Sequence, residues 1–116
     1  MATPAPAFDT AVPKRRYKLG EFQAVVLGDV ESKGDTEYVW VFALVREGDS
    51  EPLMYITLER IKGAVDPLQM HIRLQEQSKT YPAGEEMRNI ENFTEMSIDA
   101  VVRLFELEDE EPFRLM

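Results

Sequence analysis

The stretch TEYVWVFALVRE, Thr36 to Glu47, decides the fold. Beta-branched and aromatic residues dominate it, the types that suit a pleated surface. Read at period two, Tyr38, Trp40, Phe42 and Leu44 share one face, and Val39, Val41, Ala43 and Val45 share the other. Both faces are apolar, so this strand belongs inside a sheet and asks for cover on both sides.

Working outward, Ser32-Lys33-Gly34-Asp35 is a turn that separates it from an earlier strand, Arg15 to Ser32. There Phe22, Ala24, Val26 and Val30 oppose Val25 and Leu27, and Gly20 marks an expected bulge. On the other side, Gly48-Asp49-Ser50 turns the chain into a strand from Pro52 to Ile61. Leu53, Tyr55 and Thr57 alternate there with Met54, Ile56 and Leu58. A loop over Lys62 to Pro67 leads to a fourth strand, Leu68 to Gln77. Leu68, Met70, Ile72 and Leu74 point one way, and Gln69, His71, Arg73, Gln75 and Gln77 point the other. One side is core and the other is wet.

Ser78 to Gly84 reads as a loop through Tyr81-Pro82, and residues 85–91 as a helical turn. Asn92 followed by Glu95 resembles a capping box and predicts a helix over Phe93–Glu108. Ile98, Val101, Val102 and Phe105 give it one apolar stripe, flanked by Met96 and Leu104. The expected fold is α+β: a four-stranded antiparallel meander followed by one C-terminal amphipathic helix packed on one face.

The ends differ from this middle. Residues 1–14 are rich in Pro and Ala and read as a flexible tail; residues 15–108 form the single domain; residues 109–116 form an acidic tail. The net charge of -9 is concentrated late, since residues 85–111 hold ten acidic and two basic residues. Such a surface repels phosphate backbones, so nucleic acid is a disfavoured partner. The basic cluster Lys14-Arg15-Arg16 follows a Pro/Ala-rich stretch and does not precede an apolar core, the reverse of a secretory signal. With the longest apolar run ending at Val45, far short of the ~20 residues of a membrane span, the expected setting is cytoplasmic with no membrane partner.

Motifs for chemistry are sparse. There is no cysteine and one histidine, His71, which argues against a zinc site or a thiol nucleophile. The acidic hairpin Asp29 to Glu37 departs from a calcium loop, because Lys33 takes a ligand position. Ser32, Ser50, Ser78 and Ser97 lack a nucleophile-elbow context. Asn92-Phe93-Thr94 matches a glycosylation sequon on a helix cap, a chance match without a secretory signal. The expectation is no cofactor, no metal and no catalysis. An enzyme would need Glu59, Arg60, His71, Arg73 or Tyr81 to converge on a cleft.

Trp40, Tyr38, Tyr55 and Phe42 suggest an aromatic platform, and the order of four strands then a helix is similar in layout to single-strand nucleic-acid binders of the PUR and Whirly kind. Such platforms work with a basic groove, which this acidic chain does not offer. One helix covers one face of four strands. The other is expected to stand open at Val25, Leu27, Val39, Val41, Val45, Met54 and Ile56, and an open apolar face implies a partner. The primary expectation is a non-catalytic protein-interaction domain, self-associating as a homodimer through that face. The alternative is a carrier of a small apolar ligand, with its cavity between sheet and helix.

Overall fold

The computed structural model describes residues 6–62, 68–74 and 77–115. Among these residues the sheet has seven strands: β1 (Thr10–Leu19), β2 (Phe22–Glu31), β3 (Thr36–Arg46), β4 (Met54–Ile61), β5 (Gln69–Leu74), β6 (Gln77–Pro82) and β7 (Phe113–Arg114). A 3-10 turn over Glu85–Arg88 and helix α1 (Ile90–Leu104) lie between β6 and β7. The spatial order is β6-β5-β4-β3-β2-β1-β7, every neighbouring pair antiparallel. The class is therefore α+β with one helix, as expected, but the strand number is seven where four were expected.

Three local features account for the difference. Gly20 has φ +57 and begins a two-residue connection, since Leu19 pairs directly with Phe22. A glycine at positive φ in the first position suits a tight hairpin turn. The single strand expected over Arg15–Ser32 is thus the hairpin β1–β2, and Thr10 to Lys14, expected to be tail, belong to β1. The strand expected over Leu68–Gln77 ends at Leu74, and the stretch expected as a loop from Ser78 returns as β6. Finally, Phe113 and Arg114 of the expected acidic tail pair with Lys18 and Tyr17. The loop expected over Lys62–Pro67 lies, past Lys62, outside the described residues.

β3 carries an irregularity that resets its faces. Trp40 pairs with Leu58, and Tyr38 with Glu59, which leaves Val39 as an extra residue. Such a bulge shifts side-chain parity by one. Trp40, Phe42 and Leu44 stay on the helix side, Tyr38 joins Val41 on the opposite side, and Val39 packs against the main core.

That core lies between the sheet and α1. Phe22, Ala24, Val26, Phe42, Leu44, Met54, Ile56 and Leu58 meet Phe93 and Val101 there. Fully burying a side chain of the Phe93 class is worth roughly 2–3 kcal/mol, and the core is built from many such terms. The helix begins one turn earlier than expected: Asn89, not Asn92, is its cap, and its side chain accepts from Glu91 N at 2.8 Å and Asn92 N at 3.3 Å. It also ends earlier. Glu106 adopts φ 54, and Leu107 N donates to Val102 O at 2.9 Å. This is the left-handed closure that satisfies the last carbonyls and stops a helix.

A candidate binding groove beside the helix

α1 packs over β3 and leaves the β5–β6 side of the sheet partly uncovered. The result is a groove of about 570 Å³, between β5 and β6 on one side and α1 with the 3-10 turn on the other. Register places Met70, Ile72 and Leu74 of β5 on the helix face, level with Leu58, Ile56 and Met54 of β4. From α1 come Met96, Ala100 and Leu104, and Met87 closes the end at the 3-10 turn. Tyr81 and Leu104, among the more exposed large apolar side chains of the molecule, both line it. Lys79, Glu86, Asp99 and Arg103 supply its charged groups. The wall behind Met87 is fixed to the sheet, because Trp40 Nε1 donates to Arg88 O at 2.9 Å.

The opposite face carries four of the seven residues expected to stand open. Cross-strand register forms two rows. Val25, Ala43, Tyr55, Arg73 and Ser78 form one; Leu27, Val41, Thr57, His71 and Thr80 form the other. Val41 and Ala43 are buried among their neighbours, while Val25, Leu27 and Val45 are half-buried. Met54 and Ile56 require correction: they lie at 0% exposure in the helix-side core, because β4 pairs with β3 in the register that sets them beside Leu44 and Phe42. Val39, through the bulge, also leaves this face. Four of the seven expected residues, Val25, Leu27, Val41 and Val45, therefore share a surface, and it is less open than expected. Nor do the four aromatics make one platform. Trp40 and Phe42 face the helix, whereas Tyr38 and Tyr55 face away.

The polar half of this face holds a connected cluster. Glu59 is only 8% exposed. Its Oε2 accepts from Thr57 Oγ1 at 2.6 Å, and Arg73 Nη2 lies at 3.7 Å. His71 Nε2 lies 3.4 Å from Glu59 Oε1, and Nδ1 of the same ring lies 3.2 Å from Thr80 Oγ1. Three of the five groups that an enzyme reading requires thus converge. Arg60 instead pairs with Glu37 at 3.4 Å, and Tyr81 lines the groove on the other face. A hydroxyl–imidazole–carboxylate chain has the composition of a nucleophilic triad. However, Thr80 sits in the exposed edge strand β6, and the described cavity opens on the opposite face of the sheet. The cluster does what a nearly buried carboxylate needs: it supplies donors. Nearby, burial first and the Glu51 charge second push the Tyr55 phenol above its ordinary pKa.

No known protein family, curated protein or solved structure matches this chain. Among the described residues, no helix is long and apolar enough to cross a membrane.

The sequence pattern does not single out the residues that line the groove. Met70, Ile72 and Leu74 read as ordinary core, and Met96 and Leu104 as flanks of the stripe. Leu104 beside an apolar Met96–Ala100 pair at helical spacing was the available signal: the stripe is wider than the core consumes.

Proposed function

We propose that this chain is a non-catalytic binding protein that holds an apolar ligand in the groove between β5–β6 and α1. One observation carries the reading: an open volume of about 570 Å³ with apolar walls contributed by both sheet and helix. Small-molecule sites are commonly ~300–1,000 Å³, mostly apolar, with a few polar groups that set orientation. Three methionines among the lining residues suit this role, since an unbranched thioether adapts to an irregular guest.

Titration with the neutral dye N-phenyl-1-naphthylamine, which brightens in apolar surroundings, tests it. Wild-type protein is expected to give saturable brightening. Ala100→Trp, which fills the groove from the helix side, is expected to abolish it with an unchanged far-UV circular dichroism spectrum. Equal brightening by the two proteins, or none by the wild type, would sink the reading.

A second reading, self-association through the opposite face, draws on Val25, Leu27 and Val45, which keep part of their surface in solvent around buried Val41 and Ala43. Light scattering across a concentration series tests it. A dimer that Leu27→Lys disperses supports this reading, and a strict monomer removes it.

A further inference from the structure

Two rows of side chains define the shape of the groove. Met70, Ile72 and Leu74 alternate along β5, so the row is ~13 Å long at about 3.3 Å per residue. Met96, Ala100 and Leu104 recur every fourth residue along α1, so that row is ~12 Å long at about 1.5 Å per residue. The rows match in length, which makes the space a trough. At its middle the helix contributes only the methyl of Ala100, so its wall recedes there between Met96 and Leu104. A trough walled this way fits an unbranched hydrocarbon chain better than a compact ring system. Met70, Met87 and Met96 gather at the 3-10 end, where flexible side chains close over the chain tip.

The charges at the rim are not equivalent. Arg103 Nε and Asp99 Oδ2 lie 3.1 Å apart, one turn from each other on α1, and satisfy one another. Glu86 sits at the opposite end, its carboxylate folded over Gly84. Lys79 differs. It pairs in register with Ile72, lines the groove, and has no ion-pair partner among the described residues. An acidic protein repels free anions at long range, but that field is screened beyond about 8 Å at physiological ionic strength. A headgroup in contact with Lys79 therefore meets a cation first.

Resting on the binding role proposed above, we infer that the ligand is a single-chain amphiphile with an anionic headgroup, its chain lying between β5 and α1 and its head at Lys79. The chain supplies apolar contact along both rows, and Lys79 supplies a charge-assisted hydrogen bond at the open edge.

Three probes with one chain length and different heads separate these elements: dodecanoate, 1-dodecanol and dodecyltrimethylammonium, each below its micelle-forming concentration. Calorimetry gives the affinities. Trp40 emission gives an independent readout, since its indole is bonded to the turn that carries Met87. Wild-type protein is expected to bind dodecanoate about tenfold more tightly than 1-dodecanol, the size of effect that one charged hydrogen bond gives. The alkylammonium is expected to bind weakest. Lys79→Gln, a change in the exposed strand β6, is expected to erase the preference for dodecanoate over 1-dodecanol. Equal affinities for the three heads, or a preference that survives Lys79→Gln, overturn the anionic headgroup. Brightening of the naphthylamine dye without binding of any dodecyl probe overturns the single-chain ligand but leaves the groove as a binding site. Binding of neither the dye nor a dodecyl probe overturns both.

Discussion

Gly28 of β2 lies against the ring of Trp40 on β3: a Cβ added at Gly28 would stand 2.5 Å from Trp40 Cζ3 and 3.1 Å from two carbons of Lys14. The first distance is far inside van der Waals contact. Glycine at this position leaves room for the indole, and the indole in turn holds the 3-10 turn through Arg88 O.

Gly28→Ala is therefore expected to displace the Trp40 ring and to destabilise the fold by about 1–3 kcal/mol, the usual cost of overpacking. Urea denaturation measures the loss. A red shift of the tryptophan emission in native buffer reports the displaced ring. Unchanged stability and emission would mean that the neighbouring strands yield without strain.

Ser97 is expected to behave in the opposite sense. It is fully buried on the core side of α1, and its Oγ has no hydrogen-bond partner among the described residues. A buried hydroxyl without a partner costs on the order of 1–3 kcal/mol, and alanine is also the better helix former. Ser97→Ala should raise the urea midpoint with an unchanged denaturant slope. A lower midpoint would place an ordered water or an unseen acceptor at that hydroxyl.

How much of this was legible in the sequence varies by element. β3, β4 and β5 stand within two or three residues of their expected bounds, because alternation of large apolar side chains is a strong signal. β6 carries none: Gln77, Ser78, Lys79, Thr80, Tyr81 and Pro82 are all exposed, and pairing with β5 alone makes it a strand. Gly20 was visible, but one glycine in an apolar run fits a bulge or a hairpin, and only the pairing of Leu19 with Phe22 decides between them. The sequence points to Asn92 as the cap, whereas Asn89, directly after the 3-10 turn, takes that role. The groove depends on where α1 rests across the sheet, a tertiary property that no local pattern encodes.

The Glu59 cluster predicts an asymmetry between its members. Arg73 and Thr57 both serve the carboxylate, and Arg73 Nη1 also donates to Thr57 Oγ1 at 3.4 Å. Arg73→Met removes the cation paired with the nearly buried carboxylate and the donor to Thr57 Oγ1, so it is expected to cost about 1–3 kcal/mol. Glu59→Gln keeps an acceptor for Thr57 and is expected to cost less. Guanidinium chloride should not be used, since its salt screens the contrast; urea denaturation of the two variants decides it. No loss in Arg73→Met would show that Arg73 acts only through its packing.

The C-terminal strand offers a test of how far a short, exposed edge contributes. β7 pairs with β1 at Tyr17 and Lys18, and Leu115 N donates to Arg16 O at 2.7 Å. Phe113 is 66% exposed and Leu115 48%, so little apolar surface is removed from water. The ladder, not burial, holds this segment. In an antiparallel pair the bonded positions alternate. With Arg16 bonded to Leu115, Lys18 is the next position turned toward β7, while the backbone of Tyr17 turns toward β2. A chain ending at Glu108 is therefore expected to lose less than about 1 kcal/mol of global stability, as an exposed two-residue edge should. Its Lys18 amide should exchange with deuterium faster than in the full chain, while that of Tyr17 is unchanged. A large global loss would show instead that the acidic segment before β7, where Glu110 rests on Gly20, is part of the folded core.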